Sequence, residues 1–260
     1  MKAGTRTETD LMLQTTERLH QVSRRYSSVR LLLYRWLTTV VGLLVLVSSQ
    51  AIADPKTSVA LNSAGFLSYH PDIRWRNEAI DHYDRGDFDD AIRDLMRSAK
   101  YADKGSQGLL AEMHWKGIGT VPNRPLGYAW MDLAAESGYQ EFVVLRERYW
   151  SDLAESERAV ALELGQKVYA VYGDEVAKPR LAKLLNRGRR QVTGSRTGYR
   201  GALQISLRMP GGGWFSMTGD EFYADEFWKP EIYFEWKKQV WREAQKGIVE
   251  VGPVDAESTE

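Results

Sequence analysis

The middle of the chain contains two stretches in which apolar residues recur every three or four positions, the spacing that places them on one face of an α-helix. Each stretch reads as two helices joined by a turn, with Gly86 in the first turn and residues 117–119 in the second. Ala99 in the first stretch and Ala135 in the second are 36 residues apart. A period in the mid-thirties made of helix pairs, with small residues where helices cross, predicts a short α-solenoid.

This pattern divides the chain between residues 54 and 187 into three predicted parts. Residues 54–75 have a mixed pattern and are predicted to form a connecting arm, and residues 76–139 hold the two helix pairs. Residues 140–187 keep helical spacing, and we expect them to cap the stack, because terminal repeats must cover an apolar face. Pro179 is expected at the start of a short helix, where its missing N–H costs nothing. The predicted fold class is therefore mainly α.

An apolar segment near the N-terminus has the layout of a secretory signal peptide. Residues 36–47 (WLTTVVGLLVLV) are uncharged and follow four arginines, and Ala51 and Ala53 occupy the −3 and −1 positions of a cleavage site. The run is shorter than the roughly 20 residues that a membrane-spanning helix needs. We therefore predict that residues 1–53 are a signal peptide and that the rest is periplasmic or secreted. An uncleaved inner-membrane anchor is the alternative, and it leaves the chain on the same side of the membrane.

The second helix pair carries a set of small and aromatic residues: Leu110-Ala111, Trp115, Gly117, Gly119, Tyr128-Ala129-Trp130 and residues 134–139 (AAESGY). This set resembles a Sel-one-like repeat (SLR), a bacterial-rich subclass of the tetratricopeptide repeats (TPR). Residues 86–91 (GDFDDA) are similar to the turn between the two helices of an ordinary tetratricopeptide motif. The resemblance implies an interaction or scaffold protein whose partner is another envelope protein or a peptide.

The expected contacts of such a protein lie on the first helix of each pair. The first helix offers His82 and Tyr83, and the second pair offers Met113 and Trp115. We predict that these four side chains are near the surface that contacts the partner. No cofactor is expected there, and the membrane is expected to contact the protein only through the signal segment, if that segment is not cleaved.

The chain changes character after residue 187. Residues 188–202 are rich in glycine and arginine and predict a solvated linker, and residues 247–260 predict a tail that frays. Between them, residues 203–246 are predicted to form a small strand-plus-helix module. Residues 203–209 alternate apolar and polar side chains, as a half-buried strand does, and the glycine-rich turn at 210–213 leads into a returning strand.

Aromatic residues crowd into this module, where a helix is expected beyond Asp225. Its apolar face is predicted to hold Ile232, Trp236, Val240 and Ala244. The aromatic side chains that could form an exposed patch are Trp214, Phe227, Trp228, Trp236 and Trp241. Their flat rings could stack on sugars, so an accessory protein that binds peptidoglycan or another glycan is the alternative function. The rings can equally fill the core of the module, which is the more common use of aromatic residues.

Few residues point to chemistry. The chain has no cysteine, which excludes disulfides and cysteine metal sites, and no phosphate-binding or nucleophile motif is present. His70, His82 and His114 fall in different elements and are predicted to lie on the surface or on helix faces. The acidic run at 81–90 lacks the glycine and final glutamate of a calcium loop. We therefore predict a protein that is not an enzyme, with no metal; an apolar pocket holding a perturbed acid would mark an enzyme of unrecognised type.

The charge balance of the chain depends on its N-terminal segment. The whole chain has 35 basic and 35 acidic residues, which gives no global attraction to nucleic acid. Residues 1–53 contain seven basic and three acidic side chains, so the remaining chain is mildly acidic. No nucleic-acid partner is predicted, and the arginines of residues 187–200 are assigned to the linker.

Overall fold

The computed structural model describes residues 55–191, 203–209 and 212–246. These residues are mainly helical with a small two-stranded sheet near the C-terminus, which confirms the predicted mainly α class. The predicted signal peptide, most of the predicted linker and the predicted tail lie outside the described residues.

The helices before the sheet are α1 (Pro55–Leu61), α2 (Ala64–Leu67), α3 (Pro71–Arg85), α4 (Phe88–Ala99), α5 (Lys104–Lys116), α6 (Arg124–Ala135), α7 (Gln140–Asp152), α8 (Glu155–Tyr172) and α9 (Asp174–Arg190). The sheet consists of β1 (Gln204–Arg208) and β2 (Trp214–Thr218). The elements that follow it are α10 (Gly219–Phe222), α11 (Asp225–Trp228) and α12 (Pro230–Lys246).

The two predicted helix pairs correspond to α3 with α4 and α5 with α6, and α7 and α8 both pack against α6. Gly86 after α3 and Gly117 after α5 have φ values of +82° and +73°, a left-handed conformation that costs glycine little. Helix α3, the first helix of the first pair, begins at Pro71, inside the predicted arm, because proline fits the first turn of a helix.

Two glycines allow the helices of the stack to approach closely. A Cβ atom on Gly108 in α5 would lie 2.5 Å from the ring of Phe142 in α7. One on Gly127 in α6 would lie 2.9 Å from the backbone nitrogen of Trp115 in α5. Both distances are too short for real atoms, so a larger residue would push these helices apart. Small residues do occupy the crossings, as the repeat pattern predicts.

Helix α9 differs from the prediction at both ends. It begins at Asp174, so Pro179 lies inside the helix and does not start it. It continues to Arg190 through the first residues of the predicted linker. Gly188 is buried in this helix, where an added Cβ atom would lie 2.2 Å from the indole of Trp228. This glycine therefore makes room for a tryptophan and is not part of a linker.

The predicted hairpin is present. Strands β1 and β2 are antiparallel, with Ile205 opposite Met217 and Leu207 opposite Phe215. Leu207 and Met217 are buried, whereas Trp214 at the start of β2 is exposed. One face of the hairpin therefore packs on the protein, in agreement with its alternating sequence.

The predicted arm and the aromatic module share one hydrophobic core. Its buried members come from α1–α3, α9 and the elements after residue 203, and they are Ala60, Leu61, Phe66, Ile73, Leu181, Leu185, Leu207, Met217, Phe222, Phe227, Trp228 and Tyr233. The rings of Phe66 and Trp228 pack edge to face with 5.7 Å between centroids. Residues 54–75 thus do more than connect, because they supply four of the buried residues in the core that contains the C-terminal aromatics.

The buried face of α12 is shifted by one residue from the prediction. Tyr233 and Trp241 are buried, whereas Ile232 is exposed and Trp236 is half-buried. Lys237 lies between the two buried aromatics on the same stripe, since positions four apart share a helix face. Because a lysine lies on the buried stripe, a search for apolar residues at helical spacing does not find this stripe. The prediction therefore chose the neighbouring stripe, which contains Ile232 and Trp236.

Candidate protein-interaction surface

Three of the four predicted contact residues lie near the C-terminal ends of the first helices of the pairs with part of their surface exposed. His82 and Tyr83 are half-buried near the end of α3, and Trp115 is half-buried near the end of α5. Met113 is fully buried, which corrects its prediction as a contact residue. It lies two residues before Trp115, which turns its side chain to the opposite side of the helix and into the core.

Tyr83 joins the surface of the first pair to that of the second. Its ring packs edge-on against Phe88 at the start of α4, with 5.3 Å between ring centroids. The turn after α5 reaches the same place, because a Cβ atom on Gly119 would lie 2.1 Å from the Cβ atom of Phe88. The ends of α3 and α5 therefore lie on one continuous surface.

Trp115 lies between side chains from two other helices. The ring of Tyr149 in α7 stacks on it, with 3.9 Å between centroids and 12° between planes. The guanidinium carbon of Arg124, at the start of α6, lies 4.6 Å from the indole centroid, a cation–π distance. Tyr149 is buried, whereas Trp115 and Arg124 keep part of their surface exposed. This packing fixes the indole without removing it from solvent.

Glu112 lies one helical turn before Trp115 and is only 3% exposed. One of its carboxylate oxygens pairs with Lys116 in the next turn, while the other, Oε2, has no hydrogen-bond partner among the described residues. Burial raises the pKa of Glu112, in spite of Lys116. Burial, and then the charge of Glu112, also raise the pKa of Tyr83 and of Tyr149, so the carboxylate lies close to both phenols.

These residues form one cluster, which we call the Glu112 site: Tyr83, Glu112, Trp115, Lys116 and Tyr149. It combines half-exposed aromatic rings with a buried acid that has a free oxygen. The sequence predicted two of its members, Tyr83 and Trp115, and missed Glu112. The signal that could have found it is a glutamate next to Met113, within the apolar stripe of α5.

His82 stands beside this site but has partners of its own. Its Nδ1 lies 3.0 Å from Nη2 of Arg85, and its Nε2 lies 3.7 Å from a carboxylate oxygen of Asp94 in α4. Asp94 is buried and pairs with Arg97 at 2.7 Å. His82 therefore links α3 to α4, with about a quarter of its side chain exposed.

Most of the predicted aromatic patch is core. Phe227, Trp228 and Trp241 are 7%, 1% and 4% exposed, and Trp236 is half-buried, with its ring 5.2 Å from that of Phe227. Trp214 is 72% exposed on the hairpin. The core-filling alternative therefore describes three of the five side chains. Phe227, Trp228 and Trp241 offer no surface for stacking on a sugar, because their rings pack against α2, α7 and α9.

A buried ionic cluster, which no sequence pattern predicted, lies at the opposite ends of α3 and α5 from the Glu112 site. Its members, which we call the Lys237 network, are Asp72, Arg76, Asp103, Tyr233 and Lys237. Lys237 Nζ donates to Asp72 at 2.7 Å and to Asp103 at 3.0 Å, and the Tyr233 hydroxyl donates to Asp72 at 2.7 Å. Arg76 donates to Asp103 at 2.9 Å. Two carboxylates thus balance two cations.

The network joins α12 to the N-terminal ends of α3 and α5. Asp72 is in the first turn of α3, and Asp103 is the residue that caps α5, accepting from the backbone of Ser106 at 3.0 Å. One turn further along α12, the indole of Trp241 donates to Glu141 in the first turn of α7. One face of α12 therefore contacts acids at the starts of three helices. Tyr233 and Lys237 contact Asp72 of α3, Lys237 also contacts Asp103 before α5, and Trp241 contacts Glu141 of α7.

The charges of the network determine its protonation. Burial alone would raise the pKa of Asp103, but Arg76 and Lys237 hold it well below its usual range. Burial would lower the pKa of Lys237, and Asp72 and Asp103 raise it instead. Arg76, Asp103 and Lys237 consequently carry their charges at neutral pH, and the network acts as a structural clamp.

His70 is also buried, so its prediction as a surface histidine is wrong. Its Nδ1 lies 2.9 Å from the carbonyl oxygen of Phe66 in α2, and its Nε2 lies 2.8 Å from that of Phe227 in α11. Its ring stacks on Phe66 with 3.5 Å between centroids. His70 therefore ties the predicted arm to the C-terminal module.

An open cleft of about 490 Å³ lies elsewhere, between α1–α2 and α3, and Asn62, Arg74 and Asp81 are among its lining residues. Glu112 is not among the lining residues of this cleft.

Within the described ranges, no group of three histidine, aspartate or glutamate side chains is placed to hold a metal ion. No helix there is long and apolar enough to cross a membrane. Comparison of the chain with protein-family models, curated proteins and solved structures found no match. The resemblance to Sel-one-like repeats therefore depends on the residues of this chain alone.

Proposed function

We propose that this protein is an exported, non-enzymatic helical-repeat protein of the bacterial envelope that binds another polypeptide at the Glu112 site. In this proposal the helix pairs form a short α-solenoid of the Sel-one-like type, and the site lies on the first helices of successive pairs. The observation that carries the proposal is the free Oε2 of buried Glu112, on the same helix as the half-exposed Trp115 and close enough to the half-exposed Tyr83 for its charge to act on that phenol.

The composition of the site supports binding of a protein. Tyrosine, tryptophan and arginine dominate the binding energy of protein interfaces, because they offer a large contact area with few rotatable bonds. Trp115 is held by Tyr149 and Arg124, so it loses little freedom when a partner covers it. A buried carboxylate oxygen without a partner also favours a donor from outside, because leaving such an atom unpaired costs about 1–3 kcal/mol.

Glycan binding receives less support. It requires exposed aromatic platforms, and Phe227, Trp228 and Trp241 are buried in the shared core. Trp214 alone among the five predicted patch residues is mostly exposed. We therefore do not extend the proposal to peptidoglycan, and Trp214 serves below as a control.

Interaction at the site is tested with a Trp115→Ala variant. We expect the tagged full-length protein to capture a reproducible envelope protein after cross-linking in its own cells, and Trp115→Ala to reduce that capture at least roughly tenfold, as loss of a central interface aromatic does. The measurement is quantitative mass spectrometry of the captured proteins. Trp214→Ala, which removes an exposed tryptophan far along the chain, should leave the capture unchanged. Equal capture by both variants, or no reproducible partner, would contradict the proposal.

Export is tested separately. We expect residues 1–56, fused to a reporter enzyme that is active only in the periplasm, to give a signal, because the arginines and the apolar run direct the chain to the secretion machinery. A charge in the apolar run should abolish the signal, and Leu44→Glu provides it. Reporter activity that is absent, or that survives Leu44→Glu, would overturn the localisation.

A further inference from the structure

We infer that the Glu112 site receives a basic side chain, so that the partner contributes a lysine- or arginine-rich segment. This inference rests on the proposed function and adds the chemical class of the partner to it. Its basis is the free carboxylate oxygen of Glu112 together with the charges that surround the site.

The first step concerns the buried carboxylate. Lys116 occupies one oxygen of Glu112, and Oε2 has no hydrogen-bond partner among the described residues. Only hydrogen-bond donors complete a carboxylate, and a charged donor forms a bond roughly twice as strong as a neutral one. Burial works against the ionised form of Glu112, and a second cation at Oε2 would offset this cost.

The second step concerns the surface next to the site. The end of α3 and the start of α4 carry five aspartates between residues 81 and 90 and one arginine, Arg85. Arg85 pairs with Asp87, and Asp84 and Asp89 are exposed without an ion pair to a described residue. Asp84 also contributes to raising the pKa of Tyr83, after burial and Glu112. A negative surface of this kind attracts a basic segment and repels an acidic one.

The third step concerns the aromatic rings. Arg124 and Tyr149 already pack on the indole of Trp115, so Trp115 is not the ring that receives a further cation. The ring of Tyr83 is half-buried, and the charge of Glu112 acts on its phenol. Cation–π contact with Tyr83 would add to the ion pair.

The test uses the full-length protein and three synthetic peptides: hexalysine, hexalysine with acetylated side chains, and hexaglutamate. Tryptophan is labelled with fluorine, and the Trp115 resonance is assigned from a Trp115→Phe variant. We expect hexalysine to shift the Trp115 resonance in a saturable way, and the other two peptides to leave it unchanged. Saturable shifts from hexaglutamate or the acetylated peptide would overturn the inference.

Two variants connect the binding to Glu112. Glu112→Gln, which keeps the shape and removes the charge, should weaken hexalysine binding at least roughly tenfold. The control is Glu163→Gln, because Glu163 pairs with Lys167 four residues later, as Glu112 does with Lys116, but on the exposed face of α8. Glu163→Gln should change binding less than twofold. An equal effect of the two variants would mean that general surface charge, and not the site, attracts the peptide.

A further variant keeps the inference testable if Glu112→Gln does not fold. Lys116→Gln removes the cation that now competes for Glu112, so hexalysine should bind more tightly. Weaker binding to Lys116→Gln would contradict a cation site. If hexalysine fails to bind while Trp115→Ala still reduces capture of the envelope protein, the inference is wrong and the proposed function stands. If hexalysine does not bind and Trp115→Ala does not reduce capture, both the inference and the proposed function are wrong.

Discussion

Replacing Asp103 with alanine is expected to lower the free energy of unfolding by about 3–5 kcal/mol. Asp103 is 1% exposed, and its carboxylate is the acceptor for Arg76, for Lys237 and for the backbone of Ser106. The alanine variant leaves one cation with no partner and removes the cap of α5. A buried charge that loses its partner is among the most destabilising changes in a protein. Urea unfolding followed by circular dichroism measures the loss.

The matched control is Asp87→Ala. Asp87 also stands at the N-cap position of a helix, but its side chain makes no capping hydrogen bond and is half exposed. Its replacement should change stability by no more than about 0.5 kcal/mol, as surface substitutions do. Similar losses for the two variants would show that the Lys237 network does not hold the fold.

The dependence of the free energy of unfolding on pH provides a second test of Asp103. Its folded-state pKa lies well below the unfolded value of about 4, so its contribution to stability is complete above the unfolded value and is lost progressively as the pH falls from there to the folded-state pKa. The stability difference between the wild type and Asp103→Ala should therefore be largest near neutral pH and narrow below about pH 4. A difference that stays constant down to low pH would contradict the ionised network.

Replacing Trp228 with alanine is expected to lower the free energy of unfolding by about 3–5 kcal/mol, the usual cost of emptying a tryptophan site in a core. The indole is 1% exposed, donates to the carbonyl of Phe222 at 2.8 Å and packs on Phe66 and Gly188. Because this core joins α1–α3 to the C-terminal module, most of the helical signal should unfold at lower urea in one transition.

Trp214→Ala is the control for that experiment, since Trp214 belongs to the same module and is 72% exposed. It should change the unfolding midpoint little. The opposite pattern is a large effect of Trp214→Ala and a small one of Trp228→Ala. It would contradict the assignment of Trp228 to the core and of Trp214 to the surface. A main transition unchanged by Trp228→Ala would indicate that the module folds apart from the helix pairs.

The parts of the fold that the sequence predicted are those determined by neighbours along the chain. The helices around Gly86 and the hairpin of β1 and β2 follow from periodicity and turn residues within about 30 positions. The predicted arm was misread because its partners are distant: His70 contacts the carbonyl of Phe227, 157 positions later. Periodicity contains no information about such a partner.

The residues of the candidate site follow the same division. Tyr83 and Trp115 were predicted as side chains of the first helices of the two pairs, whereas Glu112 looked like an ordinary member of a glutamate–lysine pair at a spacing of four. Glu112 is 3% exposed, and its charge acts on Tyr83 of α3 and Tyr149 of α7, two neighbours that the sequence of α5 does not contain. Lys237 was missed for a similar reason, because its two acids lie on α3 and before α5.

The long separation between the two sides of the shared core governs the order in which the chain can fold. The contacts of Tyr233 and Lys237 with Asp72 span 161 and 165 positions, whereas the helix pairs join near neighbours. A chain made from its N-terminus forms the local pairs first, since distant contacts must wait for closure of a long loop. Until α9 and the elements after residue 203 emerge, Leu61, Phe66 and Ile73 lack most of the residues that complete their core. During synthesis, and during any passage across a membrane, these three residues are therefore a natural binding site for a chaperone.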